Sequence, residues 1–349
     1  MKAVFPLEFY RGKRVFVTGH TGFKGSWLCH ILKSLGAEVT GYALEADAPS
    51  LFRLARVTDG MRSVCGDIRD KDAFETAFRA AKPEIVFHLA AQPLVREGYR
   101  APLDTYATNV MGTVHLLECM RRVSCVRSFV NVTTDKVYEN GENPCREGDR
   151  LGGKDPYSCS KSCSELLSES YRASFFAGGT PAVSTARAGN VIGGGDFAAD
   201  RILPDCVRAM LSGKPLVLRN PRAVRPYQHV LEALFAYLMI AARQYEDGTL
   251  AGSYNVGPDA ADCVTTEKLV ALFAEAWGKE LPCRAAEGGP RETETLRLDC
   301  AKLQSAFGWH PTWDLPTAVR HAAAWYKAFA AGEDVVPVMD AQIADFINN

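Results

Sequence analysis

Along the chain, short unbroken apolar runs alternate with amphipathic stretches of helical period. The apolar run at 15–17 stops in a glycine-rich turn, and an amphipathic stretch over 28–35 follows at once. That order reads as a buried strand, a tight turn and a helix. The alternation continues with strands predicted over 38–44, 61–68, 83–91, 128–132 and 181–192, and helices over 70–81, 102–122 and 157–176. Apolar strands separated by helices build a parallel sheet covered on both faces. After 192 the pattern loosens. It predicts a helix opening at 200–204, a short strand over 216–219, a buried helix over 231–242, a late strand over 253–257, a helix entered at Thr265 and a last helix over 317–330. The predicted fold class is α/β, a Rossmann-type doubly wound parallel sheet with a smaller C-terminal substrate-binding lobe. Residues 1–187 form the dinucleotide domain, with later returns near 225–257, and 188–349 form mainly the lobe.

Gly19, Gly22 and Gly25 fall at the first strand-to-helix junction. Glycines there let the backbone approach a bound group closely, and the free N–H groups of the helix start suit a pyrophosphate. The position predicts a dinucleotide site, with Phe23 and Lys24 inside the loop. Lys24 has three readings: a pyrophosphate contact, a contact to a 2′-phosphate, or a solvated side chain. The second strand carries no acid until Glu45 and Asp47, so the choice of NAD over NADP stays open on this feature. At the third strand end, Asp67 has two readings, an adenine contact with Ile68 packing on the ring, or a helix cap. Leu89, Ala90 and Ala91 are small or apolar residues at the fourth strand tip, where a cofactor would cross. His88, inside an apolar run, reads as a packed core histidine.

The fifth strand leads directly into Thr134-Asp135-Lys136. Ligand crevices of doubly wound sheets lie at the C-terminal strand ends, which places three polar residues where chemistry is done. Tyr157 and Lys161, four apart, share one face of the next helix. An ammonium that close is expected to favour the phenolate and bring the tyrosine toward the range of a general base.

Composition narrows the picture only a little. In 349 residues, 47% are hydrophobic and 23% charged, with a formal net charge of −1, ordinary values for a globular chain. That charge supplies no global field for nucleic acid or an anionic membrane, and no stretch approaches the roughly 20 apolar residues of a spanning helix. The 11 cysteines are scattered without a CxxC pair, so neither a metal site nor a disulfide framework is expected. Reduced, mostly buried thiols point to the cytoplasm.

Five stretches carry a closer likeness: HTGFKGSW from His20, AAQPLVR from Ala90, TDKVY from Thr134, AGNVIGGGDF from Ala188 and RPYQHV from Arg225. With the glycine turn and the YxxxK pair, they resemble the extended short-chain dehydrogenase/reductase family in its sugar-nucleotide branch, from Gly12 to near Ala331. Within the branch, the Thr-Asp pair and GNVIGGGD are similar to the 4,6-dehydratases of cytidine-linked sugars. The resemblance implies NAD as cofactor, CDP-glucose as substrate, and a homodimer or dimer of dimers built on the helices around 102–122 and 157–176. It further implies that Tyr157, beside Thr134, takes the C4 hydroxyl proton, and that Asp135, held protonated by a desolvated crevice, assists departure of the C6 hydroxyl. Asn109 completes the implied cofactor contacts. Gln92, Asn190, Arg201, Arg219 and Arg225 are the implied substrate contacts, with Arg297 equally readable as a surface residue.

Four positions depart from the family pattern. Lys136 stands where related dehydratases carry a glutamate base, and three roles are open to it: a neutral C5 base, a charged enolate stabiliser, or an electrostatic partner of Asp135. His20 and Lys24 bring bulk and charge into a loop that is small or apolar in relatives, which predicts looser NAD binding. Gly98 replaces a serine that touches the sugar. Rival readings are a 4,6-dehydratase or C4 epimerase of another sugar nucleotide, and a nucleotide sensor without catalysis.

Overall fold

The computed structural model describes residues 5–139, 143–286 and 295–349. The first half runs β1 (Arg14–Thr18), α1 (Phe23–Ser34), β2 (Glu38–Ala43), a single turn α2 (Leu51–Leu54), β3 (Arg62–Cys65), α3 (Lys71–Ala81) and β4 (Ile85–His88). Two short helices, α4 (Val95–Arg100) and α5 (Pro102–Tyr106), precede a wide π-type turn at Ala107–Met111 and α6 (Gly112–Arg121). The helix predicted over 102–122 is therefore continuous, with one π-type turn inserted in its middle. β5 (Ser128–Val132), α7 (Pro156–Phe175) and β6 (Ala182–Ala188) complete this half.

All pairings in the main sheet are parallel, in the order β10-β6-β5-β4-β1-β2-β3, where β10 is Ser253–Val256. Strand order reverses between β1 and β4, the switch point at which such sheets open a crevice. Alternate side chains of β1 feed opposite faces. Phe16 packs with Phe74, Phe78, Leu116, Leu117 and Phe129 on one side, while Val15 and Val17 join Trp27, Leu28 and Ile31 on the other.

The strand predicted over 181–192 is two strands in two sheets. Chain direction changes at Gly189, where a Cβ would come within 2.6 Å of the Pro226 ring. Beyond it, β7 (Asn190–Ile192) leaves the main sheet to pair with β9 (Val224–His229), whose other neighbour is β11 (Cys263–Thr265). In the same half, α8 (Ile202–Ser212) leads to β8 (Leu216–Leu218), which pairs with β12 (Cys283–Ala285). The apolar run at 231–242 lies within α9 (Val230–Glu246), which is buried on nearly every side beneath the sheet. Its first turn carries Glu232, whose carboxylate accepts N–H bonds from Thr312 at 3.0 Å and Trp313 at 2.6 Å.

α10 (Thr266–Trp277) is capped by Thr265 through the N–H of Lys268, and α12 (Leu315–Ala330) by Asp314 with Pro316 in its first turn. α11 (Ala301–Phe307) and α13 (Val336–Asn348) have no counterpart in the predicted elements. α13 packs Met339, Ile343 and Phe346 into the larger core. Among the described residues, no helix is long and apolar enough to cross a membrane.

Candidate active site

A crevice of about 560 Å³ opens over the C-terminal ends of β1, β4, β5 and β6, roofed by the second half of the chain. At its floor the glycine turn is sterically required. Gly19 has φ +75° and a Cβ there would lie 2.7 Å from the Ala90 nitrogen, while one on Gly25 would lie 2.1 Å from the Gly19 carbonyl oxygen. Gly22 caps α1 without a side chain. Among the described residues, the N–H groups of Phe23, Lys24 and Gly25 make no backbone hydrogen bond, leaving donors aimed at the crevice. A close glycine cradle with free helix-start amides, flanked by Leu89, Ala90 and Ala91, fits the diphosphate of a dinucleotide.

At one end Asp67 and Ile68 line the crevice. The cap of α3 is Asp70, which accepts the Ala73 N–H, so the capping reading of Asp67 does not hold. Its carboxylate is gripped by Arg69, with bonds of 2.9 and 2.6 Å, and this bonding holds it below the usual carboxylate range.

At the other end, β5 delivers Thr134 and Lys136 to the wall, and α7 presents Tyr157 and Lys161. Asp155 fixes the start of α7 by accepting the Ser158 N–H, and Pro156 follows as the first helical residue. Asp135 lies just behind the lining and is 1% exposed. One of its oxygens accepts from the Thr134 hydroxyl at 3.0 Å and lies 3.9 Å from Lys136 Nζ; the other, Oδ2, has no partner among the described residues.

Burial pushes the Tyr157 phenol up to about 12, against the pull of the Thr134 hydrogen bond and of the Arg201 charge. The expected lowering by Lys161 is therefore not realised. Desolvation of the phenolate dominates, and the Lys161 ammonium is committed to the Val132 carbonyl at 3.0 Å. Lys161 is itself lowered to about 8 by burial, with the Glu165 charge opposing.

Of the three readings of Lys24, the solvated side chain does not hold. It lines the catalytic end of the crevice, with Nζ 5.9 Å from the centroid of the Tyr237 ring. Burial, then Arg201 and Lys161, lower it to about 7, while Asp135 and Asp196 act the other way. His20, expected to crowd the loop, turns away from the crevice. Its ring is fully buried over Gly41, where a Cβ would meet it at 2.3 Å, and its Nε2 lies 2.7 Å from the Ser63 hydroxyl. Burial drops it to about 4, so it packs as a neutral ring. His88 is likewise a core residue, bonded to Thr18 and Thr113 and pushed down to about 3 by burial.

Asn190, Arg201, Arg219 and Arg225 all reach the roofing wall. Asn190 Oδ1 is buried without a partner among the described residues. Arg201 bonds Asp196 at 2.8 Å, and Arg219 is held by Asp200. Three expected contacts stand apart from the crevice lining. Gln92 spends its amide on Thr105 at 2.9 Å and on the Leu94 N–H at 2.6 Å. Asn109 bonds both backbone groups of Gln92 and the Ser160 hydroxyl, fixing the loop after β4. Arg297 is exposed. Conversely, Arg96 lines the crevice and pairs with Asp200 at 3.4 Å. It lies in the AAQPLVR stretch, and only the unpredicted helix α4 turns it inward. Gly98 faces Tyr157, where a Cβ would come within 3.1 Å of the Tyr157 nitrogen. Among the described residues, no group of His, Cys, Asp and Glu could hold a metal ion.

Comparison with known proteins agrees with this geometry. The NAD dependent epimerase/dehydratase family matches residues 15–257. A CDP-glucose 4,6-dehydratase of Salmonella typhimurium is 45% identical over 98% of both chains. Among solved structures, a dTDP-glucose 4,6-dehydratase of Bacillus anthracis in complex with NAD superposes with a TM-score of 0.78 at 22% identity, covering 93% of this chain and 99% of that one. A UDP-glucose 4-epimerase of Thermus thermophilus, also in complex with NAD, reaches 0.78 at 26% identity, with 90% and 98% covered.

Proposed function

The chain belongs to the NAD dependent epimerase/dehydratase family, and on that premise we propose that it is a lyase converting CDP-glucose to CDP-4-keto-6-deoxyglucose, with NAD as its cofactor. The observation that carries the reading is the acid in the turn after β5. Asp135, with one oxygen held beside Thr134 and Lys136 and the other without a partner among the described residues, has a task in a dehydration and none in a C4 epimerisation. The Salmonella relative supports both the reaction and the cytidine nucleotide.

When bound, NAD+ would supply reversible hydride-acceptor chemistry, so that the reaction is redox-neutral overall. The residues of the chain manage the protons. Tyr157, beside Thr134, receives the proton of the C4 hydroxyl, and Thr134 and the Arg201 charge work against the burial that disfavours its phenolate. A carbonyl at C4 acidifies the C5 hydrogen. Asp135 protonates the C6 hydroxyl, which leaves as water, while Lys136 either removes the C5 proton or holds the enolate oxygen. Arg201, Arg219 and Arg225, with Asn190, hold the diphosphate, a task suited to fixed guanidinium donors.

The test is incubation with NAD+ and CDP-, dTDP-, UDP- or GDP-glucose in deuterated water. The expected product is a C6 methyl with deuterium at C5, from the CDP sugar. Inversion at C4 without a methyl would make the protein an epimerase, and binding without turnover a sensor.

The same reading makes the product a precursor of surface polysaccharides such as lipopolysaccharide. The protein is proposed to be cytoplasmic, in keeping with 11 unpaired cysteines. Tyr99, Leu103, Met111, Leu166 and Phe175 leave large apolar side chains exposed on the α4–α7 side, which supports a homodimer or dimer of dimers. Light scattering tests this, and a monomer at micromolar concentration would refute it.

A further inference from the structure

Behind the wall that carries Thr134, Asp135 and Lys136 lies a buried ion pair. Arg187 of β6 donates to Glu165 of α7 at 2.8 Å, with side chains only 4% and 1% exposed. Neither residue lines the crevice. Replacing a pair so deeply buried by apolar residues of similar size is often neutral or stabilising, so stability alone does not account for it.

Its bonds show where it acts. Glu165 accepts a hydrogen bond from the hydroxyl of Thr133, immediately before the turn. Arg187 donates to the hydroxyl of Tyr138, just after the turn, at 2.8 Å. That hydroxyl in turn donates to Asn255 at 2.5 Å on β10. Thr185 donates to the second Glu165 oxygen at 2.7 Å, and Arg187 also donates to the Glu147 carbonyl at 3.0 Å. Both flanks of the segment 134–136 are thus tied to opposite members of one ion pair, which is anchored on an interior strand and on the Tyr157 helix. Glu165 also lies one helical turn beyond Lys161.

We propose that Glu165 and Arg187 are positioning residues, a clamp that sets Thr134, Asp135 and Lys136 against Tyr157 for the proton transfers at C4, C5 and C6. The proposal rests on the dehydratase reading above. Misplacement of reacting groups by about 1 Å costs on the order of 100-fold in rate, and the clamp holds the turn from both ends against such a shift.

The experiment compares the double variant Glu165→Leu/Arg187→Met with Tyr138→Phe and Thr133→Val, which leave the ion pair in place but cut its links to the turn. Thermal unfolding, kcat and KM for CDP-glucose, and amide hydrogen exchange over 133–138 are read for each. The double variant is expected to stay folded, to keep KM within about threefold, and to lose roughly 30- to 100-fold in kcat. Tyr138→Phe is expected to lose about 10-fold in kcat with KM unchanged. Exchange of the 133–138 amides should accelerate in both, with the rest of the sheet unaffected. A folded double variant with kcat within twofold of the parent overturns the proposal. If the double variant does not fold, Tyr138→Phe and Thr133→Val decide, and full kcat in both overturns it. Should the parent dehydrate no nucleotide-glucose, the functional reading fails, and the exchange measurement still decides the clamp.

Discussion

Lys136 Nζ stands 3.9 Å from Asp135 Oδ1, while Asp135 Oδ2 has no hydrogen-bond partner among the described residues. The open second oxygen is the one placed to carry a proton in the proposed dehydration, and Lys136 stands close enough to act in the same step. Asp135→Asn is expected to bind CDP-glucose normally and to lower dehydration by about 100- to 10,000-fold, the usual span for a lost general acid. Reduced cofactor should accumulate, because C4 oxidation does not need this proton. Lys136→Ala should lose deuterium incorporation at C5 while still binding substrate, measured by mass spectrometry of recovered sugar nucleotide. Intact turnover in either variant would remove that residue from the chemistry.

Gly22 and Gly25 separate folding from binding within one turn. A Cβ on Gly25 would sit 2.1 Å from the Gly19 carbonyl oxygen, whereas one on Gly22 has only a 3.4 Å neighbour and an ordinary extended backbone. Gly25→Ala is therefore expected to destabilise the protein by about 1–3 kcal/mol, as overpacking does. Gly22→Ala should keep the parent melting temperature and weaken NAD binding, because its methyl stands over the free helix-start amides. Calorimetric melting and titration with NAD+ distinguish the two, and equal melting temperatures for both variants would contradict the steric account.

The strands were legible because buried parallel strands read as apolar runs ended by turn residues. The glycine turn, the Thr134-Asp135-Lys136 tip and the Tyr157/Lys161 pair followed from that register, and all reach one end of the sheet. Side-chain direction was not legible. Gln92 and Asn109 are polar residues near a strand tip, yet they satisfy each other and Thr105. His20 reads as loop bulk until Gly41, on another strand, makes room for its ring. Spacing placed Lys161 one turn from Tyr157, but the competing Val132 carbonyl and the desolvation of the phenol depend on the assembled fold. The Glu165–Arg187 pair joins two elements with no shared periodicity, so no local pattern announces it.

Burial raises Glu232 from 4.5 to about 8, against the N–H bonds from Trp313 and Thr312 that favour its carboxylate. Between those two pH values the folded protein holds a proton that the unfolded chain has released. The stability linked to this group is therefore greatest below about 4.5 and is lost as pH rises through about 8. Glu232→Gln keeps an acceptor for the 312–313 backbone without the titration. The parent should lose several degrees more than this variant between pH 6 and pH 8.5 in thermal melts. Parallel melting curves would show that Glu232 titrates normally.

Lys24 gives the loop its pH dependence. It is lowered from 10.5 to about 7 by burial first and by Arg201 and Lys161 after it, so it carries a positive charge below about pH 7 and loses it above. Its neighbours Lys161, Arg201 and Asp135 place that charge at the catalytic end, where the reacting ring of the cofactor must lie for Tyr157 to act. Both forms carry the same diphosphate, but the oxidised ring is cationic and the reduced ring neutral, so a protonated Lys24 would disfavour NAD+ relative to NADH. NAD+ affinity should rise between pH 6 and pH 8, NADH affinity should change less, and the purified protein should hold less than one NAD per chain. Lys24→Met should abolish the pH dependence and tighten NAD+ at pH 6 by about tenfold, the equivalent of one pKa unit. The stability sign is the same. Between about 7 and 10.5 the unfolded chain binds a proton that the folded one does not, so stability rises with pH across that window. The substitution should accordingly raise the melting temperature more at pH 6 than at pH 9. Titration calorimetry with NAD+ at three pH values is the deciding measurement. A flat profile for the parent, or one that Lys24→Met leaves unchanged, would assign the loop's behaviour to some other group.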